Sequence, residues 1–393
     1  MRVAVVGAGA AGCFCSIELK RRLPDVTIDV FEKDRKPLAK VAITGGGRCN
    51  LTNSFEGVSS LKEVYPRGDK LIRRVFSTFD HKDTMAWFER EGVKLTIQED
   101  KCVFPASQDA MEIVNLLTTL MRRLGVRIQT NHKVESVKAL LGEYDAVVVT
   151  AGGRPRESDL GIFEGLDLEL VPPVPSLFTF NLPDSPVREL MGTVVEDVTT
   201  GLSGTSFKAS GPLLITHWGM SGPAILKLSS RAARYLADSG YDATLLVNWT
   251  GGKDAGTVRE ELIQTASTNP LRHIYNSHPE RIPSRLWSYL LSKSKIREDS
   301  KWAEAGQKGL NRLAETLTND TYHIKGQSRF KEEFVTCGGV ALSNINLNTL
   351  ECKNHPGLYF AGETLDVDAV TGGFNLQAAW STGYRVAVSI AEK

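Results

Sequence analysis

The chain has 393 residues, 41% of them hydrophobic, and 47 Lys and Arg stand against 46 Asp and Glu. That composition excludes disorder, collagen and coiled coil, and the length calls for two domains or one large domain carrying an insertion. A net charge of +1 gives no global reason to bind nucleic acid or an anionic membrane.

From residue 2 onward, short apolar runs alternate with stretches whose apolar residues recur at three- and four-residue spacing. This is the pattern of a parallel sheet with helical crossovers. It predicts strands over 3–6, 27–31, 126–129, 146–150 and 358–361, and helices over 11–22, 82–91, 110–124 and 375–391. Composition changes after Arg154, and Val171-Pro172-Pro173-Val174-Pro175 reads as an extended hinge, because proline fixes φ and has no N–H. Beyond the hinge the chain is β-rich to about Trp249 and helical and polar from about Ala255, and strand character of the first kind returns near Phe334. The expected fold class is α/β: a doubly wound Rossmann-like domain, split in sequence by an inserted β-barrel-like plus helical domain. Residues 1–172 and 334–393 are assigned to the first domain and 173–333 to the insert, β-rich over 173–250 and helical over 251–333.

The first motif is Gly7-Ala8-Gly9-Ala10-Ala11-Gly12, placed directly after a strand and opening a helix. Gly7 allows the tight turn, Gly9 lets backbone approach a pyrophosphate, and Gly12 lets helix and strand pack closely. The second strand ends at Glu32, 20 residues past Gly12, where a carboxylate can accept from ribose hydroxyls, with Lys33 next to it. Together they predict a dinucleotide site without saying which dinucleotide. One basic residue before an apolar, small-residue run also resembles a signal peptide, but the glycine spacing and the charges at Glu18, Lys20, Arg21 and Arg22 oppose that reading. Elsewhere no apolar run has the roughly 18 residues a membrane span needs. The six cysteines, at 13, 15, 49, 102, 337 and 352, match neither a zinc cage nor a CxxC pair. No metal site is expected, and a reducing, cytoplasmic setting fits.

The second motif is Thr44-Gly45-Gly46-Gly47-Arg48-Cys49-Asn50-Leu51-Thr52-Asn53. Adjacent glycines bring backbone N–H groups to a ligand, and Arg48, Asn50 and Asn53 supply fixed polar contacts. With Glu32, Lys33 and Lys40 before it, this run resembles the signature of the BaiN-like, aminoacetone-oxidase-type FAD flavoproteins. Gly211 to Pro223, with His217, Trp218 and Ser221, is similar to that family's THxGxSGP segment. The runs Gly357 to Asp368 and Thr371 to Ala379 resemble its C-terminal flavin-binding region. The resemblance runs in order through nearly the whole chain.

It implies an FAD-dependent oxidoreductase that transfers hydride between a small organic substrate and flavin N5. Gly7, Gly9, Ala10, Ala11, Gly12, Glu32, Lys33, Lys40, Thr44, Gly46, Gly47, Arg48, Cys49, Asn50 and Asn53 would hold the adenosine, pyrophosphate and adjoining ribityl. Gly362, Glu363, Asp366, Gly372, Gly373, Asn375, Leu376 and Gln377 would hold the ribityl and ring end. The helix opening near Gly373 would aim its positive end at the flavin region that collects negative charge on reduction. By the family pattern Val134 meets adenine through its backbone, and Ala151-Gly152-Gly153 ends a strand beside the cofactor. Cys49 reads as a packing residue near the flavin, and His217 as the candidate for substrate contact or proton transfer. Amine-type oxidase and NAD(P)H-dependent reductase both stay open, with NAD(P)H a transient donor or oxygen an acceptor, because the insert has no second dinucleotide loop. A flavoprotein acting on RNA or a protein through the insert is the alternative. Acids interleave with the insert's basic residues, which argues against nucleic acid. Nothing in the sequence indicates an oligomeric state.

Overall fold

The structure, a computed structural model, describes residues 1–153, 157–326 and 335–393. Packing divides the chain into two units, Met1–Pro175 with Val335–Lys393, and Ser176–Phe334. Arg154, and the expected boundary and return of strand character at 333–334, lie outside the described residues.

The first unit is built on a five-stranded parallel sheet. Its order is Leu358–Phe360, Ala146–Val149, β1 (Arg2–Val6), β2 (Thr27–Phe31) and Arg127–Gln129. Ala146–Val149 and all of β1 but Arg2 are buried, as expected for continuous apolar strands covered on both faces. β1 leads into α1 (Ala10–Arg22), which packs against the C-terminal helix Phe374–Ala391. The approach is so close that a Cβ on Gly383 would lie 2.6 Å from the Ala11 carbonyl oxygen. Phe14 of α1 seals this layer, its ring 4.8 Å from Trp87 and 5.5 Å from Trp380. Observed element ends differ from the predicted ones by at most one residue, because apolar periodicity marks the buried stretch and not the cap.

The proline run is a correction. Leu170–Ser176 is a strand paired with Val335–Val340, so all of it but Ser176 belongs to the first unit, and the division falls at Pro175 and not at 172. A two-stranded edge tolerates prolines that a central strand would not.

The second unit carries a six-stranded antiparallel sheet. Its order is Asp320–Lys325, Asp242–Asn248, Val194–Leu202, Lys208–Ile215, Gly219–Ser221 and Phe180–Asn181. Two expectations are corrected here. The stretch read as β-rich contains the helices Pro223–Arg231 and Ala233–Asp238. The stretch read as helical closes with Asp320–Lys325, whose residues alternate strictly between buried and exposed, the period of a half-buried strand. Trp249, Trp287 and Trp302 are buried in this unit's own core.

Candidate functional site

The turn after β1 shows what each glycine is for. Gly7 has φ +104°, and a Cβ there would sit 2.5 Å from the Thr150 carbonyl oxygen. A Cβ on Gly12 would lie 2.1 Å from the Gly7 oxygen and 2.5 Å from Thr150 Oγ1, whereas one on Gly9 would meet nothing within 4 Å. The turn is therefore closed toward the sheet and open at Gly9. The start of α1, Ala10 and Ala11, carries no side-chain cap and no acid in its first turn. An uncapped helix N-terminus with room beside it suits a phosphate.

Glu32 sits at the end of β2, nearly buried. Its Oε2 accepts from Ala8 N at 2.8 Å and its Oε1 from Asp34 N at 2.9 Å, so the carboxylate holds the glycine turn in place. His132 N donates to the Glu32 carbonyl at 2.8 Å, which brings the 131–136 segment, with half-buried Val134, to the same end of the sheet. Lys33 is exposed.

The second glycine motif ends α2 (Ala39–Gly47), with a kink at Thr44. Gly45, Gly46 and Gly47 follow with φ of 62°, 69° and 83°, a run of left-handed residues that side chains would oppose. Arg48 stacks on Phe104, 4.5 Å from the ring centroid, and its Nε donates to the Gly45 carbonyl at 3.1 Å. Cys49 is buried with φ 61°, and burial pushes its thiol up to about 12. It packs in the first unit's hydrophobic core.

Residues from both ends of the chain meet here. Lys40 Nζ donates to Glu363 Oε2 at 2.9 Å, and Gly153 N donates to the same oxygen at 3.0 Å. Thr336 N donates to Glu363 Oε1 at 2.9 Å. Burial by itself would raise the Glu363 carboxyl, but Lys40 and the two N–H groups outweigh it and hold the group below its usual 4.5. The expected ribityl acceptor is thus a carboxylate already tying three segments together. Ala151 and Gly152 precede Gly153 at the end of the Ala146–Val149 strand, and Gly362 N is held by Thr382 Oγ1 at 2.9 Å.

The asparagines also turn toward the chain. Asn53 Nδ2 donates to the Gly372 carbonyl at 2.9 Å, and Asn53 Oδ1 accepts from Phe55 N at 2.8 Å. The Asn50 amide donates to the Thr52 carbonyl at 3.1 Å and accepts from Gly373 N at 3.2 Å. Asn375 clamps Ala369, accepting from its N at 2.9 Å and donating to its carbonyl at 3.0 Å. Gln377, fully buried, accepts from Thr52 Oγ1 at 2.5 Å and donates to Ser381 Oγ at 2.9 Å. Asp366 N is fixed by the Val340 carbonyl at 2.9 Å, and Leu376 is half-buried. The helix starting after Gly373 has no side-chain cap and no acid in its first turn. Sequence reasoning missed Thr52, Thr336 and the buried Arg67–Asp368 pair. Thr52 and Asp368 lay inside recognised motifs.

His217 is exposed at the tip of a hairpin in the second unit, its ring 4.1 Å from that of Trp218. Its carbonyl accepts from Arg188 Nε at 2.7 Å, and it lines an open cavity of about 480 Å³ with Asp184, Ser185 and Glu189. Several of the insert's basic residues have internal partners. Arg281 pairs with Asp197 at 2.9 Å, Lys293 with buried Asp320, and Arg285 and Arg312 donate to backbone carbonyls. Among the described residues no cluster of His, Cys, Asp and Glu is arranged to hold a metal, and no helix is long and apolar enough to cross a membrane.

Two uncapped helix N-termini, the open space at Gly9 and the left-handed glycines fit a group that is phosphate-bearing at one end and electron-accepting at the other. The comparisons agree with that chemistry. The HI0933-like protein Rossmann domain matches residues 1–389. The chain is 26% identical over 411 residues to the 3-dehydro-bile acid delta(4,6)-reductase of Clostridium scindens, covering 100% of this chain and 99% of that protein. It is 27% identical over 413 residues to the ribosomal RNA dihydrouridine synthase of Haemophilus influenzae, with 99% and 98% covered. To the ribosomal RNA dihydrouridine synthase of Escherichia coli it is 28% identical over 411 residues, with 98% and 96% covered.

Proposed function

The chain belongs to the HI0933-like Rossmann family, and from that premise we propose that this FAD-dependent oxidoreductase is a reductase that saturates a carbon–carbon double bond conjugated to a carbonyl. One observation carries the reading. The full-length relatives bear names from two substrate classes, a 3-dehydro-bile acid and a uridine of ribosomal RNA, and both names describe loss of a double bond beside a carbonyl. The shared element is the reaction, while the substrate differs.

Bound FAD supplies reversible two-electron chemistry at N5. The chain's own residues would do the rest. Gly9, with the first N–H groups of α1, would take the pyrophosphate, and Glu32 would offer remaining lone pairs to ribose hydroxyls while its two N–H bonds keep the turn rigid. Val134, Lys33, Arg48 and the Gly46–Gly47 backbone would flank the adenosine and pyrophosphate. The open end of the Phe374–Ala391 helix would favour the negatively charged, reduced ring. NAD(P)H is the proposed electron donor. In the net reaction the double bond gains one hydride and one proton, and NAD(P)H becomes NAD(P)⁺. His217 is assigned to substrate contact in the second unit, where the adjacent cavity offers both acids and a guanidinium. A small molecule is the substrate class proposed first, because acids interleave with the insert's basic residues and pair with Arg281 and Lys293.

Anaerobic mixing with NADH and NADPH, then with a panel of conjugated enones, tests this. Rapid flavin bleaching by a nicotinamide and reoxidation by an enone is the expected result. Bleaching only by amines, followed by peroxide formation in air, overturns it. A second reading, uridine in RNA as substrate, draws on the two dihydrouridine synthase relatives. Dihydrouridine missing from ribosomal RNA of cells lacking the protein, and restored by it, selects that reading.

A further inference from the structure

The asparagines expected to hold the cofactor spend their amides on the chain itself. Asn53 uses its donor on Gly372 and its acceptor on Phe55, and Asn50 spans Thr52 and Gly373. Two residues along, Thr52 Oγ1 reaches buried Gln377 in the first turn of the C-terminal helix, and Gln377 passes the chain of bonds to Ser381. The backbones interlock as well. A Cβ on Gly373 would lie 2.2 Å from the Thr52 carbonyl oxygen and 2.7 Å from the Asn50 side-chain amide. Trp380 Nε1 adds a bond to the Leu51 carbonyl at 2.9 Å, so residues 50–53 are laced to one helix end over its first two turns.

We propose that Asn50, Thr52, Asn53 and Gln377 are positioning residues: they fix the N-terminal end of the Phe374–Ala391 helix, and through it the affinity and reduction potential of the flavin, without touching the cofactor. The inference rests on family membership and the FAD it brings, not on the choice of substrate. A helix end acts on a developing charge only if its N–H groups stay in place as the charge forms, because the field falls off within the first turn. An isolated Gly372–Gly373 turn, both residues at positive φ, has no side chain with which to hold itself. The 50–53 segment supplies those side chains from a position more than 300 residues away.

Two neutral substitutions test this on the full-length, FAD-loaded protein. Asn53→Ser removes the bond to Gly372, and Thr52→Val removes the bond to Gln377, and neither changes the charge near the ring. The readouts are the FAD dissociation constant, the midpoint potential by dye equilibration, and thermal unfolding of the apo-protein. Each variant is expected to hold oxidised FAD about tenfold more weakly and reduced FAD about tenfold more weakly again. That further tenfold is a fall of about 30 mV in the two-electron potential. If both variants fold and keep the wild-type potential, the proposal is overturned, even where apo-protein stability drops, since a purely structural role would move stability alone. If the potential shifts as expected while the wild-type enzyme reduces neither enone nor uridine, the substrate reading falls and the positioning role stands.

Discussion

Lys40 Nζ lies 2.9 Å from Glu363 Oε2 and joins positions 323 residues apart. The same carboxylate gathers Gly153 and Thr336, so one side chain collects the ends of two strands and a helix. Its ionised form is the one these donors prefer. A carboxyl held below its usual value contributes stability that is present above 4.5 and is lost as pH falls below that through the folded-state value. Glu363→Gln should therefore be less stable than wild type at pH 7, and the gap should close as pH drops below about 4.5. Thermal unfolding of both proteins between pH 7 and pH 3 checks this, and a gap that does not change with pH would contradict it.

The last and the middle glycine of the first motif should respond differently to one methyl group. Gly12→Ala forces a Cβ to 2.1 Å from the Gly7 carbonyl and should destabilise the fold by about 1–3 kcal/mol, with or without FAD. Gly9→Ala enters open space, so the apo-protein should unfold as wild type while FAD affinity falls about tenfold. Urea unfolding of the apo-proteins and fluorescence titration with FAD separate the two.

Cys49 sits in the second glycine motif, yet its thiol is pushed up to about 12 by burial, and burial raises Cys15 to about 12 as well. A buried thiol that far above neutrality reacts slowly with disulfide reagents. At pH 8 the native protein should show no fast thiol release with an aromatic disulfide, and Cys49→Ala should keep its flavin and its rate of reduction by NAD(P)H. Fast, stoichiometric labelling at Cys49, mapped by mass spectrometry, would refute the packing role.

His217→Ala separates the two units' contributions. Exposed on its hairpin, His217 makes no contribution to either core. The variant should retain wild-type FAD content and unfolding temperature and lose about 100-fold in kcat for the enone half-reaction. Unchanged kcat removes His217 from the chemistry.

Much of this was legible from local pattern. Gly7, Gly9, Gly12 and Glu32 declared themselves because a strand, a turn and a helix follow one another within 32 residues, each with its own periodicity. Asp320–Lys325 alternates cleanly, but its six residues follow directly on a long helical stretch whose pattern dominated. The Thr52–Gln377 and Arg67–Asp368 bonds connect positions 325 and 301 apart, and no spacing rule reaches that far. Glu363 shows the same limit: its position was found, but its three partners depend on which strand ends the sheet order brings side by side.

That order has a consequence during synthesis. Phe14 and the Ala11 face of α1 leave the ribosome well before the helix that covers them, Phe374–Ala391. Until that helix is made, the nascent polypeptide carries an apolar stripe with no cover, so a stop codon placed between the two should yield insoluble, chaperone-bound product and not a smaller working enzyme.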